Sequence, residues 1–227
     1  MNAPTTSVPL RIDFVSDVVC PWCAIGLAAL EQAIERVRDE VTVEMHVQPF
    51  ELNPQIATEG EEINDHLRRK YGLSDEQLAQ NRERIRERGA ELGFTFGQGA
   101  RTRIYNTFDA HLLLHWAGIE GRQLELKHAL LRAYFTDGED VSDHATLARV
   151  AAEAGLSAAR AAAILASNEY EDAVRAEEQM FLRAGISAVP AVIFERQHLV
   201  SGGQPVEVFE RVLRELAADK RGAEAAE

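Results

Sequence analysis

Hydrophobic alternation of period two marks a strand with one buried face, and in this chain it occurs only near the two ends. Leu10, Ile12 and Phe14 alternate within residues 10–16, and Val41, Val43, Met45 and Val47 alternate in a second stretch that Pro49 closes. Between them Ile25, Leu27, Leu30, Ala33, Ile34 and Val37 recur at helical spacing over residues 24–37. Near the other end, 191–194 is a short apolar β-type run, with 198–201 its partner across a turn at 195–197. Gly202 and Gly203 then break the chain before an amphipathic helix over 205–217. The outer pieces read βαβ and ββα. Each is too short to bury a core alone, so one four-stranded mixed sheet built from both ends is expected.

Everything between reads as helix. From about Glu62 to Ala184 the pattern gives six or seven helices and no convincing strand. Ser74-x-x-Gln77 is a capping-box pattern opening a helix that Gly93 closes. Further helices are expected over 107–118, 123–135, 144–154, 157–166 and 168–184. The fold class is therefore α/β, with the sheet interrupted by an all-helical insertion. Residues 8–56 and 185–218 are assigned to the sheet part, 57–184 to the insertion, and 219–227 to a disordered polar tail.

Charge removes several functions. The 24 Lys and Arg are outnumbered by 37 Asp and Glu, for a net charge of −13. A nucleic-acid surface needs clustered cations, and the most basic run, Arg82 to Arg88, alternates in sign as a salt-bridged helix face does. No stretch approaches the roughly 18–20 apolar residues of a membrane span. The first ten residues lack the cationic start and apolar segment of an export signal. The expectation is a cytoplasmic protein that binds neither nucleic acid nor membrane.

The chemistry concentrates in Cys20-Pro21-Trp22-Cys23, which holds both cysteines of the chain. Cysteines three apart in one turn do not staple a fold. A zinc site would need two further His or carboxylate ligands, and a pair of core cysteines is the other plain alternative. The motif falls between a strand and a helix, where unpaired backbone N–H groups and the positive end of the helix dipole stabilise an anion. A redox dithiol is therefore favoured. Cys20 would be the exposed nucleophile, and Cys23, more buried, the thiol that resolves the mixed disulfide. Pro21 suits the first helical position, where no N–H is needed, and Trp22 is a bulky neighbour at the mouth. Pro190, preceded by Val189, stands at a strand start, a place often taken by a special turn and sometimes by a cis bond.

Other candidates are weaker. His111 and His115 have the i, i+4 spacing of two metal ligands, but without the Glu of HExxH they read as packed helix histidines beside Trp116. The acidic residues Asp137, Glu139, Asp140 and Asp143 lack the oxygen spacing of a calcium loop, so Ser142 or Asp143 is read as a helix N-cap. Asn53 and Asn106 read as turn or helix caps. There is no glycine-rich phosphate loop, hence no nucleotide cofactor is expected, and no metal.

An ordered set of segments carries a family resemblance. It comprises residues 13–17, the CPWCAIG run at 20–26, QPFELNP at 48–54, NTFDAH at 106–111, AYFT at 133–136, GISAVP at 185–190 and SGGQP at 201–205. Together they span about residues 10–215, and the chain resembles the DsbA-like branch of the thioredoxin superfamily, in particular its FrnE-like subgroup. The resemblance implies a thioredoxin-like fold with a helical insertion and thiol–disulfide exchange at Cys20 and Cys23. In thioredoxin-like folds a cis-proline at this place sits against the dithiol and keeps metals from the thiols, so the resemblance implies that role for Pro190, with Val189 offering its backbone to an extended substrate; whether the Pro190 bond is cis stays open. Phe50, Asn53, Asn106 and His111 would border the cleft between the two parts. No cofactor is implied, glutathione being a redox partner; the substrates would be proteins or small molecules bearing thiols or disulfides. The related 2-hydroxychromene-2-carboxylate isomerases and kappa-class glutathione transferases place serine where Cys20 stands and use glutathione. Glutathione-dependent isomerisation or transfer is thus the alternative, and a binding or chaperone module with an incidental dithiol is a third reading. The distal cysteine pair of some FrnE-like proteins is missing here. Redox direction, and monomer against homodimer, stay open.

Overall fold

A computed structural model describes residues 7–57, 59–99 and 101–224. Strand β1, Val8–Ser16, is followed by helix α1, Pro21–Arg36, and strand β2, Val41–Pro49. The chain returns at β5, Ala191–Phe194, and β6, His198–Ser201, before the last helix. The sheet order is β2-β1-β5-β6, with β1 parallel to β2 and antiparallel to β5, and β5 antiparallel to β6. The two ends of the chain therefore do build one mixed sheet. Its central strand β1 is buried on both faces from Ile12 onward, which is why the apolar residues there are not confined to alternate positions.

The intervening block holds α2 (Ile63–Tyr71), α3 (Asp75–Glu91), α4 (Phe108–Ile119), α5 (Gln123–Arg132), α6 (His144–Glu153), α7 (Ala158–Ser167) and α8 (Glu171–Arg183). Ser74 and Gln77 form the expected capping box at the start of α3, and Asp143 caps α6 by accepting from the Thr146 N–H at 2.7 Å. One hydrophobic cluster runs without a break from Leu10, Ile12 and Phe14 of β1, through α1, into Leu112, Leu130 and Tyr134 of the helical block.

Several boundaries differ from the sequence expectation. The block does contain strand: β3, Glu61–Glu62, pairs antiparallel with β4, Arg103–Ile104. Two residues are too few for a period to register, and the pair is fixed by the Arg103 guanidinium donating to the carbonyls of Glu59 and Gly60. Helix α5 ends at Arg132 and passes into a π-helical turn, Ala133–Asp137, closed by left-handed Gly138. Helix α8 starts at Glu171, not residue 168, because Asn168 and Tyr170 both have positive φ. The final helix, α9, spans Val206–Glu224 and so takes in most of the expected disordered tail; residues 225–227 lie outside the described set. Lys220 explains the extension: its ammonium bonds the Pro9 carbonyl at 2.8 Å and pairs with Glu195 at 2.5 Å.

Candidate active site

Helix α1 begins at the dithiol. Cys20 is its N-cap in extended conformation and Pro21 its first residue; the Cys20 carbonyl accepts from the N–H groups of Cys23 at 3.0 Å and Ala24 at 3.3 Å. The two sulfurs are free thiols one turn apart. The Val189–Pro190 bond ahead of β5 is cis, and the Cys20 thiol donates to the Val189 carbonyl at 3.6 Å. The sheet topology brings residues 169 positions apart in sequence into contact, because β1 and β5 are antiparallel neighbours and β5 begins beside the end of β1 that leads into α1.

Three segments close tightly here. A methyl group on Gly26 would lie 2.9 Å from Pro190 Cγ and 3.3 Å from Gly203 Cα, and one on Gly203 would lie 3.0 Å from the Trp22 carbonyl. Cys20 is in consequence only 4% exposed, not the open nucleophile expected from its place in the motif, and Cys23 is at 0%. Burial, followed by the neighbouring Cys20 sulfur, pushes the Cys23 thiol well above its ordinary range. Half-buried Trp22 packs under Arg84 of α3, whose guanidinium carbon stands 5.8 Å from the ring centroid.

Charged groups lie behind the thiols. Asp17, fully buried between β1 and α1, accepts from the Leu52 N–H at 2.8 Å and lies 3.7 Å from His111 Nε2. Burial alone would raise its carboxyl; His111, the Leu52 N–H and Lys127 outweigh this, and the group falls below the usual carboxylate range. Lys127 of α5 is wholly buried, with its Nζ in no hydrogen bond. A second group ties β2 to α8: Glu51 pairs with Arg175, which also holds Glu178 at 3.2 Å, while Glu178 accepts from the Glu51 N–H at 2.8 Å. Burial and the like charge of Glu178 raise the Glu51 carboxyl.

The residues expected at the cleft are spread along this region. Phe50 is buried with Val15, Phe181, Ile186 and Ala191. Asn53 accepts from Lys70 Nζ at 2.6 Å. Asn106 accepts from the Phe108 N–H at 2.9 Å and donates to Glu51 at 3.3 Å. His111 meets Asp17, whereas His115, one turn on, turns to Glu177 and Tyr170. Sequence reasoning missed Lys127, Glu178 and Arg175. Lys127 left a trace, since it stands three and four positions before Leu130 and Leu131 on the buried face of its helix. Among the described residues no cluster of three His, Cys, Asp or Glu side chains is placed to hold a metal ion. No described helix is long and apolar enough to cross a membrane.

The profile of the DsbA-like thioredoxin domain matches residues 11–214. The chain belongs to the DsbA-like thioredoxin family. A probable DsbA oxidoreductase from Streptomyces coelicolor, known from its crystal structure, is 35% identical with a TM-score of 0.85, covering 91% of this chain and 89% of that one. The uncharacterized protein YwbO of Bacillus subtilis is 28% identical over 206 residues, 90% of this chain and 96% of its own length. The cytosolic disulfide reductase DsbM from Pseudomonas aeruginosa, solved with GSH, shares the fold at 18% identity and a TM-score of 0.62, covering 91% and 98% of the two chains. Within this DsbA-like frame Cys20 and Cys23 occupy the strand-to-helix junction and Pro190 the facing loop.

Proposed function

We propose that this protein is a thiol–disulfide oxidoreductase working through Cys20 and Cys23. The observation that carries the reading is the placement of two free thiols at the start of α1, with the Cys20 sulfur 3.6 Å from the Val189 carbonyl. Cys20, as thiolate, attacks a substrate disulfide; a Cys20–substrate disulfide forms and the other substrate sulfur leaves as a thiolate. Cys23 then attacks Cys20, the Cys20–Cys23 bond forms, and the second substrate thiolate is released. Two electrons pass from the dithiol to the substrate, and the reverse sequence oxidises a substrate dithiol. Trp22 and Pro21 shape the mouth, Val189 offers a backbone carbonyl to an extended peptide, and Pro190 packs beside the thiols. Asn53 and Asn106 border the cleft on the helical side, with Phe50 and His111 as buried supports. Glutathione is the small thiol partner and the cytoplasm the place of action; no cofactor or metal takes part.

Equilibration in graded glutathione buffers, followed by alkylation and mass measurement, tests this. A reversible two-electron midpoint is expected, near the ~−270 mV of thioredoxin for a reductase or the ~−120 mV of DsbA for an oxidant. Cys23→Ser is expected to accumulate the Cys20–glutathione adduct. Absence of any reversible Cys20–Cys23 disulfide would overturn the reading.

A further inference from the structure

The basic run of α3 divides into two kinds of arginine. Arg86 and Arg88 pair with Glu83 and Glu91 along the helix, as its alternating charges lead one to expect. Arg84 does not. Among the described residues it enters no ion pair; its guanidinium donates to the neutral Asn81 Oδ1 at 2.9 Å and stands 5.8 Å from the Trp22 ring centroid. Trp22 is itself seated against Gly203, where an added methyl would lie 3.0 Å from the Trp22 carbonyl and 3.5 Å from its ring carbon Cε3. The cation is therefore stationed over the aromatic residue that separates the two cysteines.

The path of α3 makes this place part of a wall beside the dithiol. Arg84 meets Trp22 in the first turn of α1, and further along Gln32 of α1 donates at 3.1 Å to the carbonyl of Leu92, the C-cap of α3. The two helices run side by side in the same direction, so the turns of α3 before Arg84 extend past the start of α1 by about 13 Å at ~1.5 Å per residue. Arg84 is exposed, and most of its five N–H donors face solvent. In a chain of net charge −13, it gives the mouth of the site a local field opposite to that of the whole molecule.

We propose that Arg84 selects substrates by charge, receiving an Asp or Glu side chain that lies close to the reacting cysteine of an extended peptide docked at Val189. The inference rests on the oxidoreductase reading above and names its substrate class. Such a peptide advances about 3.3 Å per residue, which carries a neighbouring side chain across Trp22 to the guanidinium, where a carboxylate accepts two parallel N–H bonds. The covalent step is the one already described: the Cys20 thiolate attacks, and the other substrate sulfur leaves as a thiolate. The net negative charge repels acidic peptides at long range, so a preference for them reports the cation at the mouth.

The test uses the full chain with Cys23→Ser, so that the Cys20–peptide adduct accumulates, and follows that adduct by mass. Symmetric disulfides of end-capped peptides, each with one cysteine flanked on both sides by Glu, Gln or Lys, are the substrates. Each rate is divided by that of the same disulfide with dithiothreitol, which removes intrinsic differences in reactivity. At low salt the Glu peptide is expected to react about 3- to 5-fold faster than the Lys peptide, the range of an exposed ion pair, with the difference fading as salt is added. Arg84→Lys should keep the order, and Arg84→Glu should invert it, a result that a merely structural role of Arg84 would not give. Absence of a preference for Glu, or an order that persists in Arg84→Glu, would overturn the proposal. A protein with Arg84 intact that forms no adduct with any of the peptides would instead overturn the oxidoreductase reading, and this proposal with it.

Discussion

At the scale of single residues, burial sets the chemistry of the dithiol more than sequence position does. Cys23 and Lys127 are both wholly enclosed, and enclosure disfavours the charged form of each, raising the thiol and lowering the ammonium. This gives a stability prediction with a definite sign. A lysine whose folded affinity for protons is depressed adds stability above its unfolded pKa of ~10.4 and loses it as pH falls through the folded value. Lys127→Met, which removes that loss, is expected to be more stable than wild type at pH 7, by about 1–4 kcal/mol as for other buried charges replaced by apolar groups. The advantage should shrink toward pH 10. Denaturant unfolding at a series of pH values checks it; a methionine variant less stable at pH 7 would contradict the account.

At the scale of elements, two contacts hold the site together. Helix α1 meets the Pro190 loop through Gly26, where an added methyl falls within 2.9 Å of Pro190 Cγ. Gly26→Ala gains helix propensity of roughly 1 kcal/mol but overpacks a closed contact, which costs about 1–3 kcal/mol. A net loss of about 1 kcal/mol is expected, with a changed dithiol midpoint; urea unfolding and glutathione titration measure the two. Helix α8 meets the end of β2 through Arg175, half-exposed, which holds Glu51 and Glu178. Arg175→Met leaves two facing carboxylates, and a loss of about 1–2 kcal/mol at pH 7 is expected after allowance for solvent at the guanidinium. Glu51 already has a raised carboxyl in the native protein. Such a group gives stability fully present below its unfolded ~4.3 and lost as pH rises through the folded value. The Arg175→Met deficit should therefore diminish from pH 7 toward pH 4.5, read by thermal melts across that range. A deficit independent of pH would rule out carboxylate repulsion as its cause.

At the scale of the whole molecule, the sheet and the helical block share one hydrophobic cluster. Two independently stable units would each need a closed core of their own. A single cooperative transition is expected, and the chain supplies two reporters: Trp22 beside the dithiol and Trp116 in α4. With Trp22→Phe and Trp116→Phe made separately, fluorescence from each remaining tryptophan and far-ultraviolet circular dichroism should give coincident urea midpoints. Separated midpoints would show that the two parts unfold on their own. The same scale separates what was legible in the sequence from what was not. Strand alternation at the two ends, the Cys20–Cys23 spacing and the Ser74 capping box are local patterns, set by side chains within one turn or one strand, and they were readable without coordinates. The strand at Arg103–Ile104, the late start of α8 and the length of α9 were not, because each depends on a partner distant in sequence or on a backbone angle: Glu61–Glu62, the positive φ of Asn168 and Tyr170, and the hold of Lys220 on Pro9 and Glu195. The burial of Cys20 belongs to this second group, since its cover comes from Val189, 169 residues away. The order of the main strands and helices and the position of the dithiol were thus written in short-range periodicity and spacing, and the family in the ordered motifs that run from about residue 10 to 215. The charged groups of the site were settled by the tertiary fold, because Asp17 and Glu51 in the loops after β1 and β2 meet His111 of α4 and Arg175 of α8 only once the helical block packs on the sheet, through a low-dielectric interior that no local pattern encodes.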